Sequence, residues 1–194
     1  MKKCFKRMGK YLLVVVVLLA VTVTALEIFS RYTPAKIINA NAPVKTRKTI
    51  VIHAPAGKVW AVFTNVNRWT QWQKDITSAL LTAPFQTGSV IEWKTNGFSI
   101  HSELQTVEPL KKIGWAGKAF GSYAIHVWTF EERDGATTVT VEESMEGWLV
   151  SLSRGYVQRN LHTATEYWLQ ALKQECEVSS RLVPREQKGI NVQF

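Results

Sequence analysis

His126 and Glu143 are the residues whose types and spacing could do chemistry. Asp134-Gly135 lies midway between them and is a two-residue hairpin signal, because the turn that suits twisted strands needs positive φ at both central positions. Counting outward sets Arg133 opposite Ala136, Phe130 opposite Val139, Trp128 opposite Val141, His126 opposite Glu143 and Ala124 opposite Met145. Side chains alternate along a strand, so alternate pairs share a face, and here that face is apolar except at His126 and Glu143. The two therefore point inward, opposite each other. An imidazole and a carboxylate held together in apolar surroundings can pass a proton near neutral pH and so enolise or dehydrate a bound ketone. The plainer reading is preferred: a cross-strand His and Glu satisfy each other, or bond Ser102 and Tyr156, and merely orient a ligand.

A second hairpin signal, Asn96-Gly97, pairs Thr95 with Phe98, Trp93 with Ile100 and Ile91 with Ser102. One face then holds Ile91, Trp93, Ile100, Ser102 and Leu104, and the other, with Glu92, Lys94, His101 and Glu103, faces water. The apolar face extends the lining around His126. Trp93, Trp115, Trp128 and Phe130 are expected to line or floor a cavity, with Val141 and Met145 beside Glu143 and Tyr156 reaching in from a helix. Aromatic walls suit flat or greasy ligands through area burial and stacking. Plain core packing is the competing explanation, and for Trp60, Trp69 and Trp72 it is the better one. Glu92 with His101 reads as an exposed pair of little consequence. Lys118 to Gly121 is either a mobile entrance loop or an ordinary hairpin connection.

These faces need elements to carry them. Thr49 to His53 reads as a short β-branched strand, and Ala54-Pro55 starts a helix with Val59, Trp60, Val62 and Phe63, since proline suits the first helical turn. Asn65-Val66-Asn67 breaks it before a second short helix over 68–75. Beyond Ile76 the period changes to two, the signature of an antiparallel meander. Trp148 to Glu177 then carries Leu149, Leu152, Val157, Leu161, Trp168, Leu169 and Leu172 at spacings of three and four, a single helix of about 28 residues that spans roughly 40 Å. The result is an α+β fold, a curved sheet of about six to seven strands on a long C-terminal helix.

The 194-residue chain has a formal charge of +9, but the excess is local: residues 1–48 hold ten of the 24 Lys and Arg and one of the 15 acids, Glu27. Fourteen bases and fourteen acids remain. A phosphate-tracking groove needs clustered cations on the folded surface, so nucleic acid is excluded as a partner. The basic leader, 1–10, precedes an apolar run over 11–29 of the length that spans a hydrocarbon core. An uncleaved transmembrane anchor is favoured, with Val23-Thr24-Ala25 leaving a cleaved signal and a secreted product as the alternative. Positive charge ahead of the run puts the N-terminus in the cytoplasm and the domain outside, periplasmic or extracellular. Residues 30–44 read as a linker, 45–178 as the domain and 179–194 as a disordered tail. Cys4 and Cys176 allow no disulfide framework within the domain, and no spacing suits a zinc site.

In order along the chain, Ala54-Pro55 with Val59-Trp60, the Trp69/Trp72 pair, Gly88-Ser89, Val107-Glu108-Pro109, Gly114-Trp115, the His126/Trp128/Phe130 alternation and Glu143-Ser144-Met145 with Gly147 make a specific set. Over roughly 46–177 the chain resembles the SRPBCC (START and plant-allergen-like) superfamily, and within it the polyketide cyclase/dehydrase and lipid-transport branch. That resemblance implies the helix-grip fold, an apolar pocket between sheet and helix, a hydrophobic small molecule or lipid as partner and no obligatory cofactor. It leaves three functions open: a membrane-tethered binder, a cyclase/dehydratase-like enzyme using His126 and Glu143, or an interaction module whose pocket its own side chains fill. The spanning leader departs from the soluble members and puts an intracellular biosynthetic role in doubt. A protein partner is left unidentified.

Overall fold

The computed structural model describes residues 2–30 and 35–181, with side chains from Arg7 to Ser30 and from Ala35 to Val178. An N-terminal helix, α1 (Lys2–Phe29), opens the chain and meets the domain near its end, at Glu27. Seven strands follow: β1 (Val44–Ile52), β2 (Ile76–Leu80), β3 (Val90–Thr95), β4 (Phe98–Glu108), β5 (Lys112–Ala119), β6 (Ser122–Arg133) and β7 (Ala136–Glu146). They form one antiparallel sheet in the order β1-β7-β6-β5-β4-β3-β2. Between β1 and β2 lie α2 (Ala56–Thr64), a 3-10 turn over Val66–Arg68 and α3 (Trp69–Trp72), and after β7 come α4 (Trp148–Leu152) and α5 (Arg154–Arg181).

Both hairpins take the register their turn dipeptides demand. Asn96 and Gly97 have φ of 49° and 81°, and Asp134 and Gly135 of 52° and 75°, so His126 faces Glu143 and Trp93 faces Ile100. Proline opens α2 as expected, but no side chain caps the helix from Pro55. The carboxylate of Glu132 instead accepts the Ala56 N–H at 2.8 Å, fastening the helix start to β6.

Five expectations need correction. The first strand begins at Val44 rather than Thr49, and α3 is a single turn. The long C-terminal helix is two: the backbone leaves helical geometry at Ser153 (φ −119°, ψ 31°), two residues before Gly155. Helix continues through Arg181, past the expected start of the tail at 179, and residues 182–194 lie outside those described. The linker is not a free tether. The Asn39 N–H donates to Ser144 Oγ at 3.1 Å and its side-chain amide to Glu146 at 2.7 Å. Ala35 and Ile38 then cover Tyr123, Ile125 and Val127 on the sheet's outer face.

The main core lies on the other face, between the sheet and α2, α3 and α5. Phe63, Trp69, Trp115 and Trp128 are all at most 2% exposed there, with Leu104, Ile113 and Leu172.

Candidate functional site

His126 Nδ1 lies 3.0 Å from Glu143 Oε2, and the two side chains are only 13% and 10% exposed. Strand pairing fixes this, since the residues are direct partners across β6 and β7. Trp115, the partner of His126 on β5, stacks on the imidazole with ring centres 4.9 Å apart and 22° between planes. Trp128 lies 6.2 Å beyond Trp115, nearly parallel to it. The indole N–H groups of Trp115 and Trp128 are buried and find no protein acceptor. A buried donor left without an acceptor costs about 1–3 kcal/mol, so the inner wall beside the pair offers hydrogen bonds that the chain itself does not take up.

The other expected site residues divide. Ile91, Trp93, Leu104, Phe130 and Val141 are buried on the inner face, with Ile100 partly so. Ser102 is inside but engaged: its hydroxyl accepts the Trp93 indole N–H at 3.0 Å, with no bond to His126 or Glu143. Met145 packs instead with Val44, Val150 and Leu161. Tyr156 is 63% exposed and does not join the pair, because the break at Ser153 starts α5 anew and turns this residue outward. Residues 118–121 form a tight two-residue connection at Phe120-Gly121 between β5 and β6. Glu92 and His101 make the expected exposed pair on the wet face.

Rings fill the space between sheet and helix. Phe63 from α2 sits 4.6 Å from Trp128 and 6.0 Å from Trp115, ring centre to ring centre. Trp168 of α5 meets Trp69 edge-on at 5.1 Å and Trp72 at 5.5 Å, and reaches Phe63, Trp93 and Trp128 as well. Sequence reasoning assigned Trp168 only to a helical stripe. Its spacing of seven from Leu161, on the side that must face the sheet, was the available signal. Two concavities are surface clefts: one of about 660 Å³ among Glu108, Leu110, Lys111 and Glu132 at the far end of β5 and β6, and one of about 150 Å³ beside Lys48 and Glu166. Among the described residues no cluster of three or more His, Cys, Asp or Glu is arranged to hold a metal ion.

An antiparallel sheet curled against a long helix, with one acid–base pair set into an apolar interior, defines a helix-grip protein of the START/SRPBCC type. The chain belongs to the family described as polyketide cyclase / dehydrase and lipid transport, whose model matches residues 43–177. Solved structures with the same fold include the Zhui aromatase/cyclase from Streptomyces sp. R1128 (15% identity, TM-score 0.64, 71% of this chain and 96% of that one). A START superfamily protein from Mycobacterium smegmatis matches at 12% identity and TM-score 0.61, over 70% of this chain and 98% of its own. DynU16, a protein of the dynemicin biosynthetic locus, matches at 24% identity and TM-score 0.57 over 70% of this chain, which spans only 48% of that longer one. A search of the curated proteins matches none.

Proposed function

We propose that this is a membrane-tethered helix-grip protein that binds an apolar small molecule or lipid carrying at least one hydrogen-bond acceptor. The observation that supports it is the group at the inner wall: His126 and Glu143 in contact inside an apolar interior, beside two buried indole donors with no protein acceptor. A purely structural core gains nothing from such groups, whereas a ligand carbonyl or hydroxyl would satisfy them. Because rings occupy the space between sheet and helix, uptake requires Trp168 and Phe63 to move, and Trp168, only partly buried on α5, is the ring with room to do so. Among the described residues one helix, Arg7–Phe29, is long and apolar enough to cross a membrane. We read it as an anchor with the N-terminus in the cytoplasm and the domain outside, a secreted form after cleavage being the alternative.

The 3.0 Å His126–Glu143 contact also favours a second reading, a cyclase/dehydratase-like enzyme in which the pair moves a proton on the bound molecule. Native mass spectrometry of the full chain, purified in detergent and exposed to membrane lipid extract, tests the binding reading. A discrete adduct released as an apolar compound on denaturation supports it. A clean apo mass across extracts overturns it and leaves the aromatic core as structure alone, in an interaction module. With the ligand identified, Glu143→Gln separates the two readings: a binder keeps most of its uptake, while an enzyme still binds and loses turnover.

A further inference from the structure

Glu27 is the only acid in the first 48 residues, and it sits two residues before the end of α1. Lys10 and Glu27 are 17 residues apart, about 26 Å along a helix axis, slightly less than the roughly 30 Å of a hydrocarbon core. With Lys10 held at one interface, Glu27 arrives at the other. There its carboxylate accepts two hydrogen bonds from the domain, from the Gly121 backbone N–H at 3.1 Å and from the Trp148 indole N–H at 2.9 Å.

Those donors belong to one unit. The Leu149 N–H donates to the Gly121 carbonyl at 3.0 Å, and Phe120 meets Trp148 edge-on at 5.3 Å. Gly121 has φ of +64°, and a Cβ there would lie 2.7 Å from Leu149 Cβ, so the β5–β6 tip and α4 fit together only through glycine. Around the joint the surface is greasy: Phe120 is 50% and Leu152 80% exposed, and Phe29, two residues beyond Glu27 on α1, is 77% exposed. A soluble domain has no reason to present these side chains beside the mouth of a spanning helix.

We propose that the Phe120-Gly121 tip and α4 form a membrane-docking surface, seated in the headgroup–acyl boundary of the bilayer that α1 crosses, with Glu27 as the positioning residue that clamps it there. This rests on the reading of α1 as a membrane span. The occupant is the bilayer because the helix that crosses it ends on this face and because Trp beside exposed Phe and Leu is interfacial chemistry. The same surface lies on the strand that carries the site: His126 is four residues along β6 from the tip at Ser122, about 13 Å.

The test uses the full chain with Cys4→Ser, in vesicles of phosphatidylcholine and phosphatidylglycerol, carrying single cysteines labelled with an environment-sensitive fluorophore at Leu18, Phe120, Asp134 or Leu152. Cys176 is buried and escapes labelling. Lipids with a doxyl quencher near the headgroup should quench the labels at 120 and 152 at least twofold more than the label at 134, with lipids quenched deeper in the acyl chain acting on position 18. Glu27→Ala should bring 120 and 152 down toward 134 while leaving 18 unchanged, and Glu27→Gln, which keeps an acceptor oxygen, should restore them. Labels at 120 and 152 no more quenched than 134, with 18 quenched, overturn the docking surface and spare the span. A label at 18 untouched by either quencher overturns both. Unchanged quenching in Glu27→Ala overturns the clamp.

Discussion

His126 and Glu143 are held by neighbours on both sides, Trp115 stacking on one and strand pairing fixing the other. Removing either leaves the remaining polar group facing an apolar wall, so Glu143→Leu or His126→Leu is expected to cost about 1–3 kcal/mol, readable as a lowered urea midpoint. A stability unchanged to within experimental error would mean that the pair is solvated in solution. At Cys176, burial pushes the thiol up to about 12. A thiol in that state carries almost no thiolate at pH 8, so Ellman's reagent should react with one equivalent, Cys4, in the native chain and two in denaturant. Fast reaction of both in the folded protein would contradict the packing around α5.

Packing of the elements rests on aromatic rings supplied from three directions. Phe63 touches Trp69, Trp115, Trp128, Phe130 and Trp168, so Phe63→Ala is expected to lose about 3–5 kcal/mol, measured by chemical denaturation. Trp168→Ala should cost less, being partly exposed, and should open space for ligand: the binding reading requires uptake to survive or rise in this variant. α5 is also tied to β1 by charge. Burial alone would raise Glu177, but the His53 N–H at 2.8 Å and the Lys173 ammonium at 3.3 Å hold it below its ordinary value, and Lys48 at 2.9 Å does the same for Glu166. A carboxyl depressed in the folded state contributes stability above its unfolded pKa and loses it as pH falls through the folded one. Melting temperature should therefore drop on acidification below the ordinary carboxylate range, and Glu177→Gln should flatten that drop. An equally steep drop in the variant would place the acid-sensitive groups elsewhere.

This scale is also where sequence and structure part company. Asn96-Gly97 and Asp134-Gly135 fix register through backbone chemistry local to four residues, so the hairpin partners of His126 and Trp93 can be counted out, whereas their partners on the other side, Trp115 and Ala79, cannot. Alternation tells which side of a strand faces in, but not how closely a helix approaches it. Whether Trp168 lines a cavity or fills it depends on that approach, and the sequence pattern is the same in both cases. The stop at Ser153 left only Gly155 as a trace, too slight beside an apolar stripe that runs on unbroken in spacing. Nor does any pattern announce the cover over Tyr123, Ile125 and Val127, since Ala35 and Ile38 come from a stretch with no period of its own.

For the whole molecule, the prediction is one of topology. With α1 as an anchor, a protease added outside spheroplasts should reach the β6–β7 turn at Asp134-Gly135 in the full chain, while a label on the leader is reached only after lysis. The reverse result would place the domain in the cytoplasm. Since residues 35–39 are fastened to the sheet and α1 ends at Phe29, only residues 30–34 lie between the two, and the six steps from Phe29 to Ala35 reach no more than about 22 Å even fully drawn out. Such a short leash sets the protein's working radius. Under the proposed anchoring and ligand binding, it cannot swing a cargo to a distant surface, so whatever it exchanges must be met by sideways diffusion in its own membrane, and its traffic is governed by encounters per unit area rather than per unit volume.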